Sequence, residues 1–117
     1  MKDGLQVKML GMAAAAVLAF FPAVLGCVAA RAATPPGEEL FKKNNCGTCH
    51  AIDHKVVGPS YDDVAKKFAG QPDAAQTLSD AIKKGHVGTW GVVPMPPHPD
   101  MPDAQIQQIV AWILSLK

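Results

Sequence analysis

Cys46, Cys49 and His50 are the residues of this chain best spaced to do chemistry. They stand in Cys46-Gly47-Thr48-Cys49-His50, two thiols separated by two residues with an imidazole directly after the second. This is the spacing for covalent attachment of a c-type haem. Each thiol can add across one of the two vinyl groups on one edge of a porphyrin. Two intervening residues let one helical turn present both sulfurs to that edge. The histidine then falls over the ring face, where an imidazole nitrogen can bind iron. A bare C-x-x-C pair could instead hold zinc, form a redox dithiol or bind an iron–sulfur cluster. No second C-x-x-C is present, the third cysteine is Cys27, and no βαβ pattern surrounds the pair. The histidine therefore decides for haem.

The sixth iron position separates an electron carrier from a protein that binds small molecules. Met95, Met101, His86 and His98 are the candidates. A thioether is a soft ligand that favours ferrous iron and raises the potential relative to a second histidine. Met95 is centred in Val93-Pro94-Met95-Pro96-Pro97, where prolines stiffen the loop without needing backbone hydrogen bonds. Such stiffness suits a site that changes charge without moving. Met101 stands at the mouth of the last helix and reads more simply as a core or cap residue. The rival reading is a haem enzyme or gas sensor with Met95 off the iron and an open distal pocket; the sequence shows no distal acid–base pair of the kind peroxide chemistry would need.

Several helices must carry these groups. The first is expected over residues 37–46, with Pro36 or Gly37 opening it, Glu38 and Glu39 in its first turn, and Phe41 facing the core. A loop over 51–60 follows, with a turn at Gly58-Pro59, an exposed His54, and Ser60 capping the next helix. Tyr61, Val64, Ala65 and Phe68 recur at helical spacing over 61–69, and Gly70 stops the run. A third helix is expected from about Pro72 to Lys84, with Gly85 beyond it. Five prolines and three glycines make 85–102 irregular; its apolar Trp90, Val92, Val93, Met95 and Met101 suit a wall over the second haem face. The clearest helix runs from about Asp103 to Leu116. Ile106, Ile109, Val110, Ile113 and Leu114 form its stripe, Trp112 packs toward the first helix, and Asp100 or Asp103 caps its start.

Of the 117 residues, 1–32 read as a signal peptide and 33–117 as one small domain. Lys2 and Lys8 precede an uncharged apolar run over 9–26, and Ala30-Arg31-Ala32 supplies a cleavage site. The preferred cut follows Ala32, and Pro22 argues against an uncleaved anchor. Val24-Leu25-Gly26-Cys27 loosely resembles a lipoprotein processing site that would leave Cys27 lipidated, but leucine before the glycine is not the usual residue there. Export also suits a haem attached on the outer side of the membrane. The whole chain carries eleven basic and ten acidic residues. Removing Lys2, Lys8, Arg31 and Asp3 leaves eight against nine. No basic run with interleaved aromatics appears, which argues against nucleic-acid binding. The pairs Lys42-Lys43, Lys66-Lys67 and Lys83-Lys84 read as solvated helix faces. A domain this short has little core of its own, and a covalent haem would enlarge it.

Together, Cys46-Gly47-Thr48-Cys49-His50, Val57-Gly58-Pro59, Lys67-Phe68-Ala69-Gly70 and Trp90-Gly91-Val92-Val93-Pro94-Met95-Pro96-Pro97 resemble the bacterial cytochrome c-551 family, class I cytochromes c also called cytochrome c8. The resemblance runs from about Pro35 to Lys117. It implies an all-α fold of four to five short helices around one covalent haem c, with the first and last helices crossing. It implies thioether bonds at Cys46 and Cys49 and axial iron ligands at His50 and Met95. The Pro59 carbonyl would accept a hydrogen bond from the other ring nitrogen of His50, and the Trp90 indole would point to a propionate. The implied role is a monomeric, non-enzymatic one-electron carrier of the periplasm. It would pass electrons from a membrane cytochrome complex to a terminal reductase or oxidase. Two positions depart from the family. His98 stands where an asparagine often donates toward the methionine sulfur, and Ala81 where a basic side chain often lies near a propionate. The first departure suggests that His98 tunes the Met95 bond and makes the potential pH-dependent.

Overall fold

The structure, a computed structural model, describes residues 32–116. The expected leader, apart from Ala32 at its end, lies outside them, as does Cys27. Four α-helices appear in order: α1 Pro36–Lys43, α2 Tyr61–Phe68, α3 Ala74–Lys84 and α4 Asp103–Ser115. A short 3-10 turn, Cys46–Thr48, follows α1. Among the described residues there is no sheet, only isolated bridges between His50 and Lys55 and between His86 and Met95. The expected all-α class is therefore the observed one.

Helix α1 opens on Pro36, whose fixed φ and missing N–H suit a first turn. It ends three residues before the expected limit. Asn44 donates to the Leu40 carbonyl through both its backbone N–H and its side-chain amide, each at 2.9 Å. Asn45 then takes a left-handed φ of 56°, which no helix continues through. Ser60 caps α2 as expected, its hydroxyl accepting the Asp63 N–H at 3.1 Å. Helix α3 begins at Ala74 rather than Pro72 and stops at Gly85.

Helix α4 is the hub on which α1, α2 and α3 all pack. Its buried face is Ile106, Ile109, Val110, Trp112 and Ile113, and it meets Tyr61, Val64, Leu78 and Met101 in one core. Leu114 is only partly buried at the edge of that stripe. Full burial of an aliphatic side chain such as Ile106 or Ile109 contributes about 1.5–3 kcal/mol. At the crossing with α1, Gly37 is buried against α4. A β-carbon there would collide with the Trp112 Cβ and the Gln108 carbonyl, so glycine sets the approach of the two helices. Phe41, Tyr61 and Trp112 close the junction, with ring centroids 5.3–5.7 Å apart.

The start of α4 corrects the expected cap. Pro102 occupies the cap position, and no side chain bonds there. Asp103 instead pairs with Lys83 at 2.9 Å, and the same ammonium donates to the Met101 carbonyl at 2.8 Å. Lys83 is thus only partly solvated. It fastens the end of α3 to the start of α4, two elements distant in sequence.

Candidate cofactor site

The cysteine motif is shaped by backbone bonds that its own sequence makes possible. The left-handed Asn45 turns the chain out of α1, and the 3-10 turn begins at once. The Cys46 carbonyl accepts the N–H groups of Cys49 and His50 at 3.1 and 3.0 Å. The Cys49 carbonyl accepts those of Val57 and Gly58 at 3.2 and 2.8 Å. The loop after the motif is thereby folded back, and Pro59 arrives beside the His50 ring.

The His50 Nδ1 donates to the Pro59 carbonyl at 2.8 Å, which leaves Nε2 free. The ring stacks on Tyr61 at 5.1 Å between centroids. Gly58 keeps the third side close: a β-carbon there would lie 2.5 Å from His50 Cε1. The imidazole is therefore held by a carbonyl, an aromatic face and a bare backbone.

Tyr61 follows from the Ser60 cap, which fixes the first residue of α2 two positions after Pro59. Its periodicity places it in the core; the stack on His50 has no local signal in the sequence. Burial pushes the Tyr61 hydroxyl above the ordinary phenol range, with the neighbouring Cys46 adding to the effect. Burial likewise raises the Cys46 thiol, and a hydrogen bond from Tyr61 opposes it.

Across from His50, the irregular segment closes into a loop. His86 and Met95 exchange both backbone hydrogen bonds, at 3.2 and 2.8 Å, and the Gly88 N–H donates to the Gly91 carbonyl at 3.0 Å. This loop carries Trp90 and Met95 to one wall. The Lys67 ammonium lies 5.5 Å from the Trp90 ring centre, a cation–π contact between α2 and the loop.

Between these walls is a cavity of about 370 Å³. Cys49, His50, Pro59, Trp90 and Met95 all line it, together with Tyr61, Leu78, Ile82 and Ile113. Cys46, the other expected thioether position, is not among the lining residues. It starts the 3-10 turn, and its thiol is drawn toward Tyr61 and, at 4.0 Å, the Asn44 carbonyl. Ala81 lines the cavity, so no basic side chain enters at that point. Of the other candidates for the sixth position, Met101 is buried in the core. His86 borders the cavity, but its Nε2 shares a 2.6 Å hydrogen bond with the Thr89 hydroxyl. His98 is not among the lining residues; its Nδ1 is buried without a partner. His54 is exposed and bonded to Asp53 at 2.7 Å, as its flanking charges suggested.

These residues fit a haem. A mainly apolar crevice holds an imidazole with one nitrogen already committed, a thiol at its edge and a thioether on the facing wall. Among the described residues, no group of three or more histidine, cysteine, aspartate or glutamate side chains could hold a metal ion by itself. The porphyrin's own nitrogens would supply the remaining donors.

Comparison with known proteins points the same way. The sequence profile of the family described as Cytochrome c matches residues 35–117. Cytochrome c-551 of Pseudomonas aeruginosa is 51% identical over 80 residues, covering 68% of this chain and 76% of the relative. Cytochrome c-552 of Hydrogenobacter thermophilus is likewise 51% identical over 80 residues, covering 68% of this chain and 81% of the relative. The crystal structure of Nitrosomonas europaea cytochrome c552 superposes with a TM-score of 0.66 at 48% identity, covering 68% of this chain and 99% of that one. With the attachment motif at 46–50 and the crevice beside it, the chain belongs to the cytochrome c family, as a monohaem electron carrier with covalent haem c rather than an enzyme.

Proposed function

We propose that Cys46 and Cys49 carry the thioether bonds and that His50 and Met95 are the axial iron ligands. The observation that carries this reading is the 2.8 Å bond from His50 Nδ1 to the Pro59 carbonyl, with Met95 lining the same cavity. That bond selects the tautomer, holds the ring plane and leaves Nε2 as the ligating atom. When bound, the haem supplies the Fe(III)/Fe(II) couple. The Met95 thioether favours the ferrous state, and Trp90 offers its indole N–H to a propionate. Proline at 94, 96 and 97 keeps the Met95 backbone from rearranging when the charge changes.

Electrons would leave through the mouth of the crevice. Val57, Val87, Val92 and Val93 are exposed there, Val92 at 91%, with Lys55 beside them. An apolar mouth with little charge supports brief docking over a small area. The partners would be a membrane cytochrome complex as donor and a terminal reductase or oxidase as acceptor. Residues 1–32 would direct the chain to the periplasm and be removed, leaving 33–117 as a monomeric carrier.

Visible spectra of the oxidised and reduced protein test the ligand set. A long-wavelength sulfur-to-iron band in the oxidised form, with no rapid carbon monoxide binding to the reduced form, supports His50 and Met95. Loss of that band together with rapid binding overturns Met95. The mass of the mature protein tests the leader: a chain starting at Ala33 plus one haem is expected, and a lipidated Cys27 at the N-terminus would replace the plain cut.

A further inference from the structure

We propose that Gly85 is a positioning residue for Met95, an inference that rests on Met95 as an iron ligand. Gly85 ends α3 with φ 79° and ψ 167°, a conformation essentially confined to glycine. A helix stop would explain that much, but Gly85 has a second property. A β-carbon on it would lie 2.8 Å from the Met95 carbonyl oxygen and 3.2 and 3.3 Å from the Pro97 nitrogen and Cδ. These are backbone and ring atoms, which cannot swing aside as the end of a long side chain can. Gly70, Gly88 and Gly91 also have positive φ, yet a β-carbon on any of them meets nothing within 4 Å.

The segment after Gly91 has few other means of being held. Pro94, Pro96, Pro97 and Pro99 have no N–H, so over 94–99 the backbone donors before Pro99 are Met95 and His98. Both are directed to the end of α3. The Met95 N–H donates to the His86 carbonyl at 2.8 Å and the His98 N–H to the Ile82 carbonyl at 3.0 Å. The Met95 carbonyl accepts the His86 N–H at 3.2 Å. Gly85 lies within this strip, with no room for a side chain between it and the Met95–Pro97 backbone. A side chain at 85 wedges the Met95 segment away from α3 and withdraws the sulfur from its place in the crevice.

The test compares holoprotein of wild type, Gly85→Ala and Gly70→Ala. Gly70→Ala also puts an alanine at positive φ, 73°, but with open space around it. Gly85→Ala is expected to weaken the sulfur-to-iron band and to speed carbon monoxide binding to the reduced form about tenfold, roughly 1.4 kcal/mol. Gly70→Ala is expected to keep both at wild-type values. A Gly85→Ala protein that melts earlier but keeps the wild-type band and carbon monoxide rate makes Gly85 a helix stop only and overturns the proposal. Should Gly85→Ala yield no holoprotein, hydrogen exchange on the wild type decides. Slow, concerted exchange of the Met95 and His98 amides supports the strip, and fast exchange of either overturns it. A wild type lacking the band removes the Met95 reading, and this inference with it, before any substitution is compared.

Discussion

The His50 imidazole donates to the carbonyl of Pro59 while the α-carbon of Gly58 crosses the same ring. The two contacts depend on each other, because the peptide leading into Pro59 runs close to the ring only if residue 58 has no side chain. Gly58→Ala puts a β-carbon 2.5 Å from Cε1 and 2.9 Å from Nδ1. The ring must tilt or the loop must lift, and either stretches the Pro59 bond. We expect destabilisation of about 1–3 kcal/mol, the usual scale of overpacking. Thermal unfolding of the holoprotein measures this, and the reduction potential should shift with it because the ligating nitrogen moves.

The α1–α4 crossing gives a second expectation, independent of the iron. Gly37→Ala places a methyl against the Trp112 Cβ and the Gln108 carbonyl. One contact is backbone and the other is the root of a buried side chain, so neither yields. The helices must separate, and the Phe41–Trp112 contact at 5.7 Å opens with them. We expect a loss of about 1–3 kcal/mol, or a fall in Tm of about 4–8 °C for each kcal/mol in a domain of this size. An unchanged Tm would mean that the crossing is looser than the packing indicates.

Ser60 is 1% exposed, and its hydroxyl satisfies the Asp63 N–H at the start of α2. Ser60→Ala leaves that donor bare where water enters poorly. The expected loss is about 1 kcal/mol, within the range of about 0.5–2 for such caps, read from denaturant unfolding. Ser60→Asp should recover part of it if the carboxylate fits the same place.

What the sequence made legible follows the reach of its signals. The α4 stripe was readable because one period of 3.6 residues repeats over three turns, and the attachment motif because its chemistry dictates a fixed local spacing. The end of α1 was not, since Asn45 is one of the few residues that enter the left-handed region easily and nothing nearby announces that it does. The cap of α4 was misplaced for a different reason. Asp103 has the right chemistry for a local cap, but Lys83 competes for it from another helix. Tertiary proximity likewise hides the Tyr61 stack on His50, the Lys67 contact with Trp90 and the approach of Gly85 to Met95. His98 marks another limit: its place after Met-Pro-Pro suggests a role at the sulfur, and the fold adds that its N–H donates to the Ile82 carbonyl while its Nδ1 is buried without a partner.

Tyr61 links the core to pH. Burial is the main reason its hydroxyl is held above the ordinary phenol range, so the folded state keeps the proton after an unfolded chain has lost it. A raised acid stabilises the fold fully below the unfolded value, about 10, and that contribution drains away as the pH climbs beyond it. The slope from this one group is about 1.4 kcal/mol per pH unit. The difference between wild type and Tyr61→Phe isolates the effect of this hydroxyl. Phenylalanine keeps the ring that stacks on His50 and meets Phe41 and Trp112 while removing the ionisable oxygen. We expect the two proteins to unfold with similar pH dependence from neutrality to about pH 9 and to diverge above about pH 10, with Tyr61→Phe the flatter. Parallel curves throughout would show that the hydroxyl reaches water in the folded protein.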